Sequence, residues 1–174
     1  MFDPALLSDD NSDSMIPKVS ESSTWGNKQT NEAEYKQTIE TRLGGQKVKI
    51  ETKSQDIEWI RYGIEELNRI SRLQSNWDSY NADPVNQRTL EHALDVYLKL
   101  VGHRVVINAP QISAPVTGGV ELLWHRGQKG LEVEIEAPLQ VLSYFYDEET
   151  GEDDQQNVGI DLDTVIQRLD QVLG

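Results

Sequence analysis

The clearest structural signal in the chain is the run Leu131-Glu132-Val133-Glu134-Ile135-Glu136. Apolar and acidic residues alternate along it, which is typical of a β-strand with one buried side and one solvent-facing side. Leu131, Val133 and Ile135 should therefore face the core, while the three glutamates face the other way. We expect this strand to belong to a sheet that is covered on one side only.

Short turns on both sides of this strand predict an antiparallel meander. The turn at residues 126–130 follows a strand pattern at 120–125, and the connection at 137–140 leads into another at 141–146. Alternating apolar residues at 112–116 extend the pattern by one short segment. The sequence thus predicts three or four antiparallel strands.

Helical patterns flank the predicted sheet. Apolar residues recur at spacings of three and four over residues 57–73 and 90–101, which is the period of amphipathic helices. Gly63 interrupts the first pattern, and we expect another backbone to approach closely there. A third pattern begins at Leu162. The expected fold class is α+β, with two helices packed on one face of the meander and a C-terminal helix that caps the domain or reaches a partner.

Composition divides the chain into four segments. Residues 1–50 are rich in polar and turn-forming residues, so we expect a largely disordered N-terminal arm, with a short edge strand near 48–52. Residues 51–146 should form the α+β domain. Residues 147–157 are predicted to be an acidic loop, and residues 158–174 are predicted to hold the C-terminal helix.

The charge of the chain restricts its class of partner. Its 174 residues include 30 acidic and 16 basic side chains, for a formal net charge of -14. That charge opposes attraction to a phosphate backbone or an anionic membrane, so we expect no direct nucleic-acid binding and no membrane association. It favours a basic protein partner, with a homo-oligomer left open as an alternative.

Other absences narrow the class of protein further. The chain has no cysteine, so we expect neither a disulfide framework nor a thiolate site. The N-terminus lacks the basic region and long apolar run of a secretory signal, and no segment approaches the roughly 20 apolar residues of a membrane span. We therefore expect a cytoplasmic protein.

An aromatic loop, Asn76-Trp77-Asp78-Ser79-Tyr80-Asn81-Ala82-Asp83-Pro84, separates the first two helical patterns. The side chains of Asn76 and Asp78 are expected to accept backbone N–H bonds within the turn. Pro84 fits a first-turn position of the second helix after Asp83, or a position just outside a helix capped by Asn86. These residues and the tryptophan of the loop are predicted to be structural.

The aromatic side chains of this loop have two interpretations. In the structural one, Trp77 packs onto the sheet beside Trp124. In the functional one, Tyr80 and Trp124 line a partner-binding groove, because Trp and Tyr are enriched at binding hot spots. A small-ligand binder or enzyme would add Asp78 and His125, and would require a concave pocket with converging polar groups.

The segment from Leu73 to Tyr146 resembles a group of small bacterial proteins that share two motifs. The first is Asn76-Trp77-Asp78-x-Tyr80-x-Ala82-x-Pro84, and the second is Gly118-Gly119-Val120-x-Leu122-x-Trp124 followed by the alternating acidic strand. The resemblance covers less than half of the chain. It implies similar domain boundaries and a bacterial origin, and it assigns no catalytic residue because no activity is established for that group.

The sequence lacks the common catalytic and metal-binding motifs. Its three histidines, His92, His103 and His125, do not have the spacing of a helical metal site. No nucleophile elbow, HExxH motif or phosphate-binding loop is present. We therefore predict a non-enzymatic protein that uses no cofactor and no metal.

The favoured binding site is the acidic side of the predicted sheet. Glu121, Glu132, Glu134 and Glu136 are expected to share one face, where they would attract a basic protein. The predicted function is binding and regulation of such a partner, as an antitoxin, immunity factor, inhibitor or accessory subunit of a defence system. Two alternatives remain: an acidic sheet edge that only discourages aggregation, and a nucleic-acid mimic.

Overall fold

The computed structural model describes residues 37–52, 57–103, 109–137 and 140–174. These residues form seven strands and three helices in one hydrophobic core. In chain order the elements are β1 (Gln37–Leu43), β2 (Gln46–Thr52), α1 (Ile57–Ile70), α2 (Gln87–His103), β3 (Gln111–Ser113), β4 (Val120–Arg126), β5 (Lys129–Ala137), β6 (Gln140–Asp147), β7 (Glu152–Asn157) and α3 (Asp163–Leu173).

The main sheet is an antiparallel meander of five strands in the order β3-β4-β5-β6-β7. The α+β class and the antiparallel pairing are as the sequence predicts, but five strands replace the expected three or four. The alternating acidic run forms β5, which lies at the centre of the sheet with β4 and β6 as its neighbours. The idea that its glutamates protect a sheet edge is therefore wrong, because β5 is not an edge strand.

One face of the sheet is packed against helices. The inward-facing side chains of β4 and β5 are almost completely buried, and α2 and α3 both contact these two strands. The first helix, α1, packs beside α2 and against the short strand β3. Three helices thus share the inner side of the fold, where the sequence predicted two helices on the sheet and a third at its end.

The predicted acidic loop at residues 147–157 contains a strand. Residues 152–157 form β7, which pairs with β6 along its whole length. Its sequence is polar on both sides, so it shows no alternation that could have revealed it. Arg168 of α3 holds the strand, because its guanidinium pairs with Glu152 at 2.7 Å and Asp154 at 3.2 Å and lies over the ring of Phe145.

Part of the predicted N-terminal arm is folded. Strands β1 and β2 form an antiparallel hairpin within residues 37–52, which adds a partner to the strand predicted near 48–52. Ile39, Leu43 and Ile50 bury their side chains in the common core, which explains why this hairpin is ordered. The remainder of the predicted arm, residues 1–36, lies outside the described residues.

The C-terminal helix docks on the domain rather than projecting from it. It begins at Asp163, one residue after the helical spacing begins at Leu162 and within the segment 158–174 predicted to hold it. Val165, Leu169 and Val172 are buried against the sheet, which accounts for the three- and four-residue spacing of its apolar side chains.

Gly63 is explained by a side chain and not by the backbone approach that the sequence suggested. The ring of Tyr97 from α2 lies against Gly63 of α1, so that a β-carbon at residue 63 would collide with it. The Tyr97 hydroxyl donates a hydrogen bond to the Trp59 carbonyl oxygen, and burial raises the pKa of that hydroxyl. This contact sets how closely the two helices approach.

Candidate functional site

The outer face of the five-stranded sheet is the first candidate site, because no described helix packs on it. Cross-strand pairs show that Glu121 lies opposite Glu134, and that Glu132 lies opposite both Leu123 and Tyr144. The outer sheet face, as used below, consists of Glu121, Leu123, Glu132, Glu134, Leu142, Tyr144 and Tyr146. It is a mixed surface in which carboxylates lie between leucine and tyrosine side chains.

The glutamates of this face are in an unfavourable electrostatic environment. Burial raises the pKa of Glu132, with smaller contributions from the neighbouring charges of Glu121 and Glu134. Burial likewise raises the pKa of Glu134, followed by the charges of Glu136 and Glu121. In the part of the chain that the structure describes, none of these four carboxylates forms an ion pair.

Glu136 stands slightly apart from the other three. It is exposed and lies at a shift in the register between β5 and β6, where residues 135 and 137 are paired but Glu136 has no ladder partner. Such an irregularity locally redirects side chains. The four glutamates Glu121, Glu132, Glu134 and Glu136 are called the acidic cluster below. Glu136 lies at the end of this cluster, and its charge still raises the pKa of Glu134.

Two tyrosines on the outer sheet face were not identified as site residues from the sequence. Tyr144 and Tyr146 lie with ring centroids 6.0 Å apart, and His125 follows at 6.4 Å from Tyr146. Tyr146 lies across Gly130, where any side chain would collide with the ring. The signal was present in the sequence, since the even-numbered residues of β6 alternate with the buried Phe145 and its odd-numbered neighbours.

The aromatic loop is held in a fixed shape by its own side chains. The carboxylate of Asp78 accepts hydrogen bonds from the backbone N–H groups of Tyr80 at 2.8 Å and Ala82 at 3.0 Å. The side-chain oxygen of Asn76 accepts another from Asn81 N–H at 2.8 Å. The structure thus places both residues as backbone acceptors, the role that the sequence suggested for them.

The backbone of the loop adopts an uncommon conformation. Asn76, Ser79 and Asn81 have positive φ angles of 63°, 68° and 71°. Asparagine tolerates this left-handed region better than other residues with a side chain, whereas serine gains no comparable advantage. The hydrogen bonds that the Asn76 and Asp78 side chains accept therefore hold a backbone conformation that residues with a side chain rarely adopt.

The aromatic residues do not form the arrangements that the sequence suggested. Trp124 is only 2% exposed and faces the core, so it cannot contact a partner, whereas Tyr80 is 86% exposed at the loop tip. The predicted groove between Tyr80 and Trp124 is therefore wrong. Trp77 keeps 38% of its surface exposed and does not join the core, so it does not pack beside Trp124.

The loop nevertheless adjoins the outer sheet face. The N–H of Asp83 donates to the carbonyl oxygen of Val116 at 3.0 Å, next to the exposed Pro84. One residue further, the Thr117 hydroxyl is 3.5 Å from a carboxylate oxygen of Glu134. The C-terminal end of the loop, at Asp83, thus lies at the same end of the sheet as Glu134.

The residues that the enzyme or small-ligand interpretation would use, Asp78, Tyr80, Trp124 and His125, do not lie in one cluster. Backbone N–H groups of Tyr80 and Ala82 lower the pKa of Asp78, so the turn favours the ionised form of this carboxylate and uses it as an acceptor. His125 lies at the C-terminal end of β4, whereas the aromatic loop adjoins the other end of the sheet, and the His125 ring contacts Tyr146. Within residues 37–52, 57–103, 109–137 and 140–174, no three His, Asp or Glu side chains are arranged to hold a metal ion.

No family model, curated protein or solved structure matches the chain. Among the described residues, no helix is both long enough and apolar enough to cross a bilayer. Function is therefore inferred from the chemistry of the chain's own surfaces.

Proposed function

We propose that this chain is an acidic interaction protein that binds and regulates a basic protein through its outer sheet face. The observation that carries this proposal is the position of Glu132 and Glu134. Both are partly buried on the central strand, both have raised pKa values, and neither forms an ion pair among the described residues. Their ionised forms destabilise the free protein, and a cationic partner would relieve that cost.

The composition of the face suits arginine or lysine side chains. Tyr144 and Leu142 flank the carboxylates and provide flat apolar surface for the stem of a long cationic side chain. Tyrosine rings also attract cations, by about 0.5–1 kcal/mol at exposed sites. A carboxylate beside such a platform would pair with a cation that is partly shielded from water, where the interaction is stronger than in bulk solvent.

Negative charge also favours fast association with a basic partner. The net charge of -14 would steer a cationic protein toward the chain, and the outer sheet face would then fix its position. An antitoxin, an immunity factor, an inhibitor or an accessory subunit of a bacterial defence system would each act in this way in the cytoplasm. The exposed Tyr80 of the adjoining loop would add an aromatic contact to a partner that extends that far.

A nucleic-acid mimic is less well supported. Mimicry needs carboxylates that continue as a stripe with phosphate-like spacing, but Leu142 and Tyr144 follow the glutamates on the next strand. On the strand beyond, Asp153 is the one acidic residue on the outer side, opposite Tyr146, because Glu152 and Asp154 lie on the inner side and pair with Arg168. The acidic residues thus form a patch bounded by apolar side chains, which fits a protein surface better.

A comparative capture experiment tests the proposal. Tagged full-length protein would be incubated with extract of its native host, in the natural form and with Glu121→Gln, Glu132→Gln and Glu134→Gln combined. The matched control combines Asp95→Asn, Glu148→Gln and Glu149→Gln, which removes the same charge from exposed positions elsewhere.

The expected result is a stoichiometric basic protein that the natural and control forms retain and the outer-face variant loses. High salt should release it from both forms that bind. Capture of the same proteins by all three forms would contradict the proposal, as would a partner without a basic surface.

A further inference from the structure

A second surface, opposite in charge to the outer sheet face, lies between the β1–β2 hairpin and α1. There the chain forms a groove of about 1480 Å³. Six basic side chains line this groove against two acidic ones, Glu40 and Glu65. The basic residues are Arg42, Lys47, Lys49, Arg61, Arg69 and Arg72. In a chain with only 16 basic residues and a net charge of -14, this concentration of cations is a distinct feature of the surface.

Apolar side chains form part of the same groove. Ile39 of β1 and Ile64 of α1 are 4% and 6% exposed, and Val48 of β2 packs against the core beside them. Among the described residues that line the groove, none is Trp, Tyr, Phe or His. The described lining therefore combines cations with a small aliphatic surface, mainly at Val48, and it offers no aromatic platform on which a nucleic-acid base could stack.

The groove is preformed at the hairpin turn. The Asn68 side chain of α1 donates to the Arg42 carbonyl oxygen at 2.7 Å and accepts from the Gly44 N–H at 3.1 Å. Gln87 of α2 donates to the Leu43 carbonyl oxygen at 3.1 Å. These bonds fix the turn relative to both helices, so a ligand would not need to order the hairpin.

Several of the cations are available to a partner. Lys47 and Arg72 form no ion pair within the described ranges, and Arg42 makes only a 3.5 Å contact with the Gly45 carbonyl oxygen. By contrast, the other three cations are paired, Lys49 with Glu51 at 2.8 Å, Arg61 with Glu58 at 3.6 Å and Arg69 with Glu66 at 2.8 Å. Arg69 also reaches the Ile112 carbonyl oxygen. The unpaired cations could therefore bind an anion without first breaking an internal salt bridge.

We propose that this groove binds an acidic segment of another protein that also carries aliphatic side chains. Carboxylates would pair with the unpaired cations, and aliphatic side chains would contact the partly exposed Val48. A long nucleic acid fits less well, because its phosphates would extend past the groove toward the acidic remainder of the chain. The proposal does not depend on the outer sheet face, and the two surfaces together would let one chain join an acidic and a basic protein.

Fluorescence anisotropy with the full-length chain tests this proposal. The probe is a labelled peptide of about 15 residues in which Asp and Glu alternate with Leu and Ile, and its control replaces the acids by Asn and Gln. A thymidine oligonucleotide of equal charge is the third probe. The groove variant combines Lys47→Glu and Arg72→Glu, and the matched control combines Arg88→Glu and Lys99→Glu, two exposed cations outside the groove.

The acidic peptide should bind saturably and the amide peptide should not. The groove variant should weaken that binding at least about tenfold, and the matched control by less than about twofold. If the glutamate pair does not fold, the same comparison is made with Lys47→Gln and Arg72→Gln.

Three results would each overturn the proposal. The first is the absence of saturable binding of the acidic peptide, or an equal loss in both variants. The second is oligonucleotide binding as tight as peptide binding, which would show a general polyanion site. The third is concentration-dependent self-association that the groove variant abolishes, since the groove would then hold a second copy of the chain.

Discussion

At the scale of single residues, the glutamates of the outer sheet face make a stability prediction. Burial, and then the neighbouring carboxylates, raise the pKa of Glu132 and Glu134 above the ordinary value in the folded protein. A carboxyl group whose pKa is higher in the folded than in the unfolded protein does not change the stability at a pH below the unfolded-state pKa. It destabilises the folded protein as pH rises from there, and the effect is complete above the folded-state pKa. Glu132→Gln with Glu134→Gln should therefore add about 0.5–1 kcal/mol to the free energy of unfolding at about pH 7.

The pH dependence distinguishes this effect from a general loss of charge. Urea unfolding of the double variant should show no gain at about pH 3.5, where both states are protonated in the natural protein. The exposed pair Asp95→Asn and Glu148→Gln provides the comparison. An equal gain from this control pair would mean that net charge, and not the local environment, destabilises the sheet.

Gly63 and Gly102 provide a second prediction at this scale. Both lie within helices, so helix propensity alone predicts that alanine stabilises each by about 0.5–1 kcal/mol. Gly102 faces open space and should follow that rule, whereas a β-carbon at Gly63 would collide with the ring of Tyr97. We expect Gly63→Ala to destabilise by about 1–3 kcal/mol in thermal unfolding. Stabilisation by both substitutions would show that the two helices can separate without cost.

Residue-scale features differ in how far the sequence could predict them. The sequence predicts that Glu132 and Glu134 point to the same side of the sheet, because side chains of a strand alternate between its faces and the apolar–acidic alternation in β5 is uninterrupted. The burial of Trp124 also follows from alternation within β4, but large aromatic residues near a loop invited a binding interpretation. The Tyr97–Gly63 contact needed the relative placement of two helices, which no local pattern specifies.

At the scale of elements, the aromatic loop depends on one carboxylate. Asp78→Ala would leave the N–H groups of Tyr80 and Ala82 without their acceptor, and Ala82 is 1% exposed. Hydrogen–deuterium exchange should become faster across residues 76–83 and remain unchanged in β5. Asp78→Asn keeps one oxygen acceptor and should restore most of the protection. Unchanged exchange in Asp78→Ala would mean that the backbone of the loop holds its shape without this side chain.

The sequence predicted elements best where one face is apolar. Helices α1 and α2 and strands β4 to β6 have such faces, and their presence was expected. Strand β7 was missed because its order comes from pairing with β6 and from Arg168 on α3, both distant in sequence. The β1–β2 hairpin was missed in part because residues 37–52 bury only a few side chains among many polar ones.

At the scale of the whole molecule, charge is separated into two surfaces. The outer sheet face is acidic, and the groove beside α1 is basic although the chain as a whole is strongly acidic. The groove was not predicted, because its cations come from β1, β2, α1 and the turn after α1, and only folding brings them together. The Debye length is about 8 Å at physiological salt, so each surface attracts mainly a partner that is in direct contact with it.

The central claim is that the outer sheet face binds a basic protein, and the most direct test is a dissociation constant. The partner recovered by capture would be titrated at low and moderate salt against the natural chain and two charge-reversal variants. One variant combines Glu121→Lys, Glu132→Lys and Glu134→Lys, and the other combines Asp95→Lys, Glu148→Lys and Glu149→Lys. We predict that the outer-face variant binds at least about tenfold more weakly, with less dependence on salt, than the control variant. Equal affinity of the two variants would contradict the claim, because it would show that the partner responds only to net charge.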